Sequence, residues 1–230
     1  MNVRELFSNI SGTYDLLNRV LSFGADQRWR KQGVSLLPHG AGVRVLDLAC
    51  GTLDMSLQYL RQGEGEVYAA DFALPMLLTG RMKASPTLDP RLHLVCTDGT
   101  RLPFPSRFFD AVMCAWGVRN FSNLPGGLKE IRRILKPNGS VLILEFFRPA
   151  KTFSKIFSKT YGRHVIPRLG KWLSKDGGAY DYLHRSVQGF YSLEEYQGVL
   201  KDSGFDIQIA KDLTGGISSL VLANLNGMSE

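Results

Sequence analysis

The chain has 230 residues, 44% hydrophobic and 21% charged, which are the proportions of a folded globular protein of one domain. Its 28 Lys and Arg residues against 21 Asp and Glu residues give a net charge of +7, which favours an anionic partner. The sequence predicts no transmembrane helix and no signal peptide, because it lacks an apolar run long enough for either. Three cysteines without a CxxC pair predict buried free thiols in a reducing cytoplasm, and the lack of HExxH argues against a metal site.

The N-terminal segment, 1–40, has mixed polarity and is predicted to form a helical cap. Asp15 is a candidate N-cap for a first short helix. Asp26 is a candidate N-cap for a second helix over 27–37, which Pro38 ends.

From residue 44 onward, short apolar runs alternate with helical stretches. Five runs are predicted to be strands, at 44–50, 66–72, 92–98, 110–116 and 140–146. Helices are predicted between them, at 54–61, 75–83 and 127–135. Continuous apolar strands that alternate with helices predict a parallel sheet covered on both faces, which is an α/β doubly wound fold.

The alternation of strands and helices is interrupted over 147–190, which is predicted to be a helical insertion within the single domain 1–230. A capped helix is predicted to follow, because Glu195 lies three residues after Ser192 as in a capping box. Two final strands, at 205–209 and 217–225, are predicted to form a hairpin at the sheet edge.

In open α/β sheets, ligands bind beyond the carboxyl ends of the strands. The first strand ends in D-L-A-C-G-T-L-D, residues 47–54. Gly51 lets the backbone turn sharply and lets a ligand approach closely, and the following helix offers free N–H groups to an anion. The run lacks the GxGxxG fingerprint, which disfavours NAD and FAD.

Acidic residues end the next two strands. Asp71 lies at the spacing from the glycine loop at which a carboxylate commonly accepts ribose hydroxyls, the alternative being a solvated loop carboxylate. Asp98 and Gly99 either bind an adenine amine or form a turn. Phe72 and Met76 either pack on an adenine face or belong to the core. Together these strand ends describe a site for a mononucleoside with an attached anion, and S-adenosylmethionine has that composition.

Longer motifs carry a resemblance to a known family. The blocks D-L-A-C-G-T, L-P-F-P-S-R-F-F-D-A-V and E-I-R-R-I-L-K-P-N-G look like a class I S-adenosylmethionine-dependent methyltransferase. Four further segments narrow the resemblance to the ubiquinone/menaquinone biosynthesis C-methyltransferase family: F-S-N-I-S-G-T-Y-D-L-L-N-R-V-L-S-F-G-A-D-Q-R-W-R (7–30), W-G-V-R-N (116–120), L-E-F-F-R-P (144–149) and D-L-T-G-G-I (212–217).

This resemblance implies S-adenosyl-L-methionine as cofactor, S-adenosyl-L-homocysteine as product, and a mostly parallel seven-stranded, Rossmann-like sheet. It implies cofactor contacts at Thr52, Asp71, Asp98 and Gly99. Combined with the strand-end positions, the predicted cofactor site comprises Asp47, Gly51, Thr52, Asp71, Phe72, Asp98, Gly99 and Ala115. The resemblance also implies a catalytic pocket formed by Tyr14, Arg119 and Asn120.

The chain departs from the family pattern at two places. Leu53 stands where the family usually has glycine, and its side chain is expected to crowd the methionine moiety or to displace the following helix. Ala115 and Trp116 stand where a small polar residue and Phe are more familiar, so a reshaped acceptor pocket is expected. Arg119 either stabilises a phenolate or is a surface salt-bridge partner, and its position on the presumed active face favours the first. Tyr14 or His164 is a candidate proton relay, the alternative for His164 being a structural role in an amphipathic helix.

The positive charge is concentrated in residues 148–175, which contain eight Lys and Arg residues and no Asp or Glu. Lys151, Lys155 and Lys159 share one helical face, and apolar residues occupy another. Such a helix either lies on an anionic membrane surface or packs on the core with a solvated basic face. No nucleic-acid-binding module is recognised, so nucleic acid is not a predicted partner.

The predicted function is C-methylation of the ring of a reduced, prenylated quinone precursor such as a demethylmenaquinol. One alternative is methylation of a soluble aromatic metabolite, and another is a non-catalytic, methyltransferase-like binding protein. The predicted location is the cytoplasm, and peripheral attachment to the inner face of the membrane is a further hypothesis.

Overall fold

The computed structural model describes residues 14–84, 89–149 and 178–226, together with residues 5, 8, 11 and 12. Its strands are β1 (Arg44–Leu48), β2 (Glu66–Asp71), β3 (Leu92–Cys96), β4 (Phe109–Ala115), β5 (Leu135–Glu145), β6 (Phe205–Leu213) and β7 (Ser218–Leu225). They form one seven-stranded sheet in the order β3-β2-β1-β4-β5-β7-β6. The first five strands pair in parallel, and β7 pairs antiparallel with both β5 and β6.

Seven helices surround this sheet in the described part of the chain. They are α1 (Tyr14–Ser22), α2 (Ala25–Val34), α3 (Asp54–Gln62), α4 (Leu74–Lys83), α5 (Leu124–Ile134), α6 (Gly178–Gln188) and α7 (Leu193–Asp202). A short 3₁₀ turn, Val118–Asn120, follows β4.

The core lies on both faces of the sheet, as the continuous apolar strands predict. Along β5, Val141 and Ile143 join the cluster that contains α5 and α7. Leu142 and Leu144, which alternate with them, join the cluster on the opposite face, with residues of α2 and α3. The predicted α/β doubly wound fold with a terminal hairpin is therefore confirmed.

The capping box at the start of α7 is also confirmed, since the Ser192 hydroxyl accepts from the Glu195 backbone N–H and the Glu195 carboxylate accepts from that of Ser192. The two predicted N-caps nearer the N-terminus are wrong. Asp15 is the second residue of α1, and α2 has Gly24 at its N-cap with a left-handed φ of 76°. Glycine adopts that conformation without a steric penalty, and the Asp26 backbone N–H in the first turn of α2 donates to the Ser22 hydroxyl instead.

Two further differences concern β5 and a thiol. β5 begins at Leu135, five residues before the predicted start, and contains an irregularity where Asn138 has a left-handed φ of 61°. Cys50 and Cys114 are buried as expected, but Cys96 is exposed because it ends β3, the edge strand. The expectation that all three thiols are buried is therefore wrong.

The predicted insertion is described only from 178 onward, where α6 is helical. Its basic part, 150–177, lies outside the described residues, as does His164. Among the residues that are described, no helix has the length and apolar character needed to cross a membrane.

Candidate active site

A pocket opens at the carboxyl ends of β1 and β4, with about 300 Å³ of empty space including its open mouth. It is lined by Tyr14, Arg30, Asp47, Ala49, Cys50, Gly51, Thr52, Asp54, Met55, Ala115 and Trp116. Five of the predicted site residues therefore share one cavity: Tyr14, Asp47, Gly51, Thr52 and Ala115.

Three lining residues adopt left-handed backbone conformations. Ala49 has φ 56°, Gly51 has φ 53° and Trp116 has φ 55°. Only glycine takes this conformation without cost, so the other two positions carry a local strain of roughly 1–3 kcal/mol each. A Cβ added at Gly51 would lie 3.7 Å from the Tyr14 ring, so the loop passes close to the side chain that covers it.

The carboxylate of Asp71 holds the glycine loop in place. One of its oxygens accepts from the Gly51 backbone N–H at 2.8 Å, and the other accepts from the Ala73 N–H at 2.8 Å. Burial raises the pKa of Asp71, while these backbone donors lower it. A carboxylate has about four acceptor positions, so these two donors do not saturate it. Asp71 is not among the residues that line the pocket, and ribose binding by it stays a prediction.

Asp47 lies beneath the same loop and is 1% exposed. Its Oδ2 accepts from the Ser56 hydroxyl at 2.6 Å, whereas its Oδ1 is buried without a hydrogen-bond partner. Burial raises the pKa of Asp47 to about 7, against the opposing effect of the Ser56 hydrogen bond. The group therefore titrates near neutral pH.

A polar network joins Thr52 to the N-terminal helices. The Thr52 hydroxyl donates to Asp15 of α1. Lys83, at the end of α4, contacts Asp15 Oδ2 at 2.7 Å and Asp54 Oδ1 at 2.6 Å. Burial disfavours the charged form of Asp54, but Arg30 and Lys83 hold its pKa below the ordinary value. These contacts fasten α1 over the glycine loop.

Leu53 does not enter the pocket, contrary to the expectation that it crowds the methionine moiety. It is fully buried, has a left-handed φ of 71°, and packs against α4 at Gly80. A Cβ at Gly80 would lie 2.5 Å from Leu53 Cγ, so the glycine provides the space that the leucine fills. The bulky residue is accommodated by the neighbouring helix.

The remaining predicted cofactor residues lie outside the pocket lining. Asp98 is exposed and its Oδ1 accepts from the Thr100 N–H and hydroxyl, both at 2.8 Å, which is the turn alternative. Gly99 lies against Phe121, where a Cβ would approach the ring to 3.1 Å. Phe72 is half-buried beside Asp71. Adenine contacts by these residues stay a prediction.

Arg119 lies beyond β4 in a buried ion pair. Its Nη1 donates to Glu145 Oε1 at 2.6 Å and to the Trp116 carbonyl at 2.7 Å. The side chains of Arg119 and Glu145 are 6% and 0% exposed. Burial raises the pKa of Glu145, and the Arg119 guanidinium opposes that shift. The guanidinium of Arg119 is therefore held behind Trp116, which lines the pocket.

Asn120 links the 3₁₀ turn to α6, because its Oδ1 accepts from the Tyr182 hydroxyl at 2.7 Å. Its Nδ2 lies 3.4 Å from the Trp116 carbonyl oxygen, which it shares with Arg119. Tyr14 lies across the pocket, and burial raises the pKa of its phenol. Arg119 and Asn120 thus reach the cavity through Trp116 and do not line it in this structure.

Sequence reasoning missed Arg30 and underrated Trp116. The Arg30 guanidinium carbon lies 4.5 Å from the centre of the Trp116 indole, and both residues line the cavity. The Trp116 Nε1 donates to the Ser218 hydroxyl at 3.2 Å. Arg30 precedes Gly51 by 21 residues, and its pairing with Asp26 at i, i+4 was the available signal.

With this geometry established, comparison with known proteins is informative. The model of the ubiE/COQ5 methyltransferase family matches residues 1–224. The chain belongs to this family. It is 41% identical to the demethylmenaquinone methyltransferase of Thermus thermophilus over 216 residues, which is 94% of this chain and 97% of that protein. It is 39% identical to the ubiquinone/menaquinone biosynthesis C-methyltransferase UbiE of Syntrophotalea carbinolica, over 95% of this chain and 92% of that protein.

Solved structures extend the similarity of fold. The geranyl diphosphate C-methyltransferase of Streptomyces coelicolor superposes with a TM-score of 0.66 at 14% sequence identity, covering 87% of this chain and 79% of that one. At this identity the similarity concerns the fold, and function has to be argued from the site. The ubiE/COQ5 family membership confirms the resemblance found in the sequence.

Proposed function

We propose that this member of the ubiE/COQ5 family is an S-adenosylmethionine-dependent C-methyltransferase that acts on the ring of a reduced, prenylated quinone precursor such as a demethylmenaquinol. The observation that carries the proposal is the full-length family match together with a pocket at the strand end where Gly51 turns. The relatives named above are demethylmenaquinone and quinone-biosynthesis methyltransferases, and they cover nearly the whole chain.

The residues of the pocket fit the cofactor. The close approach at Gly51 leaves backbone rather than a side chain against a ligand, and Asp71 keeps acceptor capacity for ribose. The buried Oδ1 of Asp47 has no partner among the described residues and supports a cationic or donor group nearby. When bound, the cofactor supplies an electrophilic methyl group.

The chain's own residues then have to align the ring carbon and favour loss of a phenol proton. Arg119 stabilises a phenolate electrostatically, since a guanidinium stays protonated and makes a poor base. Its ion pair with Glu145 and its bond to the Trp116 carbonyl hold it fixed, so little reorganisation accompanies the reaction. Tyr14, whose phenol pKa is raised by burial, is the described candidate for relaying the proton.

The test uses labelled S-adenosylmethionine with reduced demethylquinones of defined nucleus, and mass spectrometry and NMR to locate the methyl group. Arg119→Ala is expected to lower kcat by about 100-fold or more, as removal of a transition-state donor does. Arg61→Ala, an exposed arginine of α3, is the control and is expected to leave turnover unchanged. Binding of S-adenosylhomocysteine and the circular dichroism spectrum check that the Arg119→Ala protein is folded.

Turnover of the Arg119→Ala protein at the wild-type rate would remove Arg119 from the mechanism. If the wild-type protein methylates a soluble aromatic compound but none of the quinols, the substrate assignment is overturned while the enzyme class is kept.

We also infer that the basic segment 148–175 attaches the protein to an anionic membrane face where a prenylated substrate resides. Its eight Lys and Arg residues support this, although the described Arg148 already pairs with Glu195 at 2.5 Å. Co-sedimentation with anionic vesicles is expected at low salt and is expected to weaken as salt rises. Failure to bind such vesicles at low salt would contradict the inference.

A further inference from the structure

The helix α6, which belongs to the insertion, bonds two consecutive residues of the 3₁₀ turn that follows β4. The Tyr182 hydroxyl donates to Asn120 Oδ1 at 2.7 Å, and the Ser186 hydroxyl oxygen accepts from Arg119 Nε at 3.4 Å. Tyr182 and Ser186 are four residues apart, so they lie on the same face of α6. One face of a helix outside the sheet therefore contacts both residues of the turn that are predicted to serve the methyl acceptor.

The Asn120 amide has a defined orientation because its two ends face different partners. Its Nδ2 lies 3.4 Å from the Trp116 carbonyl oxygen, which can only accept a hydrogen bond. The amide oxygen therefore faces Tyr182, and the phenol has to donate to it. Burial raises the pKa of the Tyr182 phenol, so the hydroxyl keeps the proton that this bond requires.

This orientation determines what Asn120 offers to a ligand. Its amide oxygen is engaged by Tyr182, whereas its Nδ2 lies on the side of Trp116, which lines the pocket. A primary amide has two N–H groups, so one donor remains after the bond to the Trp116 carbonyl, the partner that the described residues provide. An amide turned the other way would present a carbonyl oxygen on that side, and its lone pairs would repel the oxygen of a phenolate.

We propose that Tyr182 is a positioning residue that holds the Asn120 amide with its N–H groups toward the acceptor, so that Asn120 donates to the ring oxygen beside the methylated carbon. This rests on the proposed function, because it takes a quinol ring as the acceptor. Ser186 acts in the same way on Arg119 but less strongly, because 3.4 Å is longer than a good hydrogen bond. The insertion then contributes to catalysis through the orientation of two side chains that follow β4.

The experiment measures kcat, the KM for a reduced demethylquinone and the affinity for S-adenosylhomocysteine in variants that lack one hydroxyl. Tyr182→Phe is expected to lower kcat by about 10-fold, the loss of about one hydrogen bond in the transition state, and to change S-adenosylhomocysteine affinity by less than about 2-fold. Ser186→Ala is expected to lower kcat by about 3-fold or less. Tyr191→Phe is the matched control, because the exposed Tyr191 loses the same hydroxyl, and its kcat is expected to equal that of the wild-type protein.

A double-mutant cycle separates positioning from a structural role. In an Asn120→Ala background, Tyr182→Phe is expected to cause no further loss of kcat, because the amide that Tyr182 orients is absent. Asn120→Asp serves as the background if Asn120→Ala does not fold, because a carboxylate has no N–H end for Tyr182 to orient.

Equal losses of kcat from Tyr182→Phe in the wild-type and the Asn120-substituted backgrounds would overturn the proposal, because Tyr182 would then act independently of Asn120. A wild-type kcat for Tyr182→Phe, or a loss of S-adenosylhomocysteine affinity equal to the loss of kcat, would also overturn it. These outcomes leave the proposed function intact. If the wild-type protein methylates no quinol, the proposed function fails, and this proposal fails with it because Asn120 then has no ring oxygen to bind.

Discussion

The cofactor side and the acceptor side of the pocket satisfy their polar groups in opposite ways. On the cofactor side, around β1, buried atoms of Arg30, Asp47 and Asp54 have no hydrogen-bond partner. On the acceptor side, beyond β4, the described residues leave no buried atom of Arg119 or Glu145 unpaired. Among the described residues, the first region thus has buried polar atoms without a hydrogen-bond partner, whereas the Arg119–Glu145 pair of the second region has none.

This difference agrees with the chemistry proposed for each side. A cofactor that brings charges of its own is recognised by open donors and acceptors, which its binding then satisfies. A charge that stabilises a developing phenolate works best when it is held rigidly before the reaction begins. On the acceptor side, Glu145 and the Trp116 carbonyl hold the Arg119 guanidinium in place. On the cofactor side, buried polar atoms are left without a hydrogen-bond partner among the described residues.

The largest effect is expected on the acceptor side. Glu145→Gln is expected to lower the free energy of unfolding by about 4 kcal/mol, because it leaves the buried Arg119 charge without its counter-ion. Urea denaturation measures the change. In the double variant with Arg119→Met most of the loss is expected to be recovered, since neither charge remains. A loss below about 1 kcal/mol in the single variant would show that the pair is not ionised.

Asp47 provides the corresponding test on the cofactor side. Its folded-state pKa of about 7 exceeds the ordinary 3.8, so the folded protein holds a proton that the unfolded chain releases between these values. The free energy of unfolding therefore falls as pH rises from about 4 to about 7, and Asp47→Asn removes this decline. The variant is expected to be more stable than wild type by about 4 kcal/mol at pH 8, with little difference at pH 4.

Urea denaturation across that pH range checks the Asp47 prediction. Asp47→Asn is also expected to weaken S-adenosylhomocysteine binding, which would separate stability from function in this region. A pH profile parallel to that of the wild-type protein would show that Asp47 is already charged at low pH.

The smallest of these effects concerns Gly80. Gly80→Ala is expected to cost about 2 kcal/mol of unfolding free energy, because the new Cβ would lie 2.5 Å from Leu53 Cγ. In a Leu53→Gly background the same substitution is expected to cost less, although the Thr52 carbonyl carbon still lies 2.9 Å away. Thermal denaturation measures the loss of unfolding free energy that Gly80→Ala causes in each background. Equal losses would show that the Leu53 side chain moves aside without an energetic penalty.

Much of the fold was predictable because it depends on local pattern. Strand positions came from apolar runs, and the start of α7 from the Ser192–Glu195 capping box. The helix starts near Asp15 and Asp26 were wrong because both carboxylates bond to distant partners or to Ser22 instead of to their own helix ends. Such competition between local and tertiary hydrogen bonds leaves no trace in a short sequence window.

The candidate site was predictable in part. The strand-end rule located Asp47 and Gly51 because the carboxyl ends of parallel strands meet at one edge, and the family resemblance added Thr52. Arg30 was missed because it reaches the cavity from a helix outside the sheet, and nothing in the glycine-loop motif marks that approach. Of the two expectations for Leu53, the one that placed its side chain against the methionine moiety was wrong, because its partner, Gly80, is 27 residues away and becomes a neighbour only after folding.

The antiparallel strand β7 has a consequence for when the pocket can form during synthesis. Ser218, its first residue, accepts from the Trp116 indole and donates to the Glu145 carbonyl. The wall between the two sides of the pocket is therefore bonded by a residue that leaves the ribosome about a hundred residues after the tryptophan. A nascent chain that already contains the glycine loop and Trp116 lacks this bond, so this wall of the pocket is complete only after Ser218 has been synthesised.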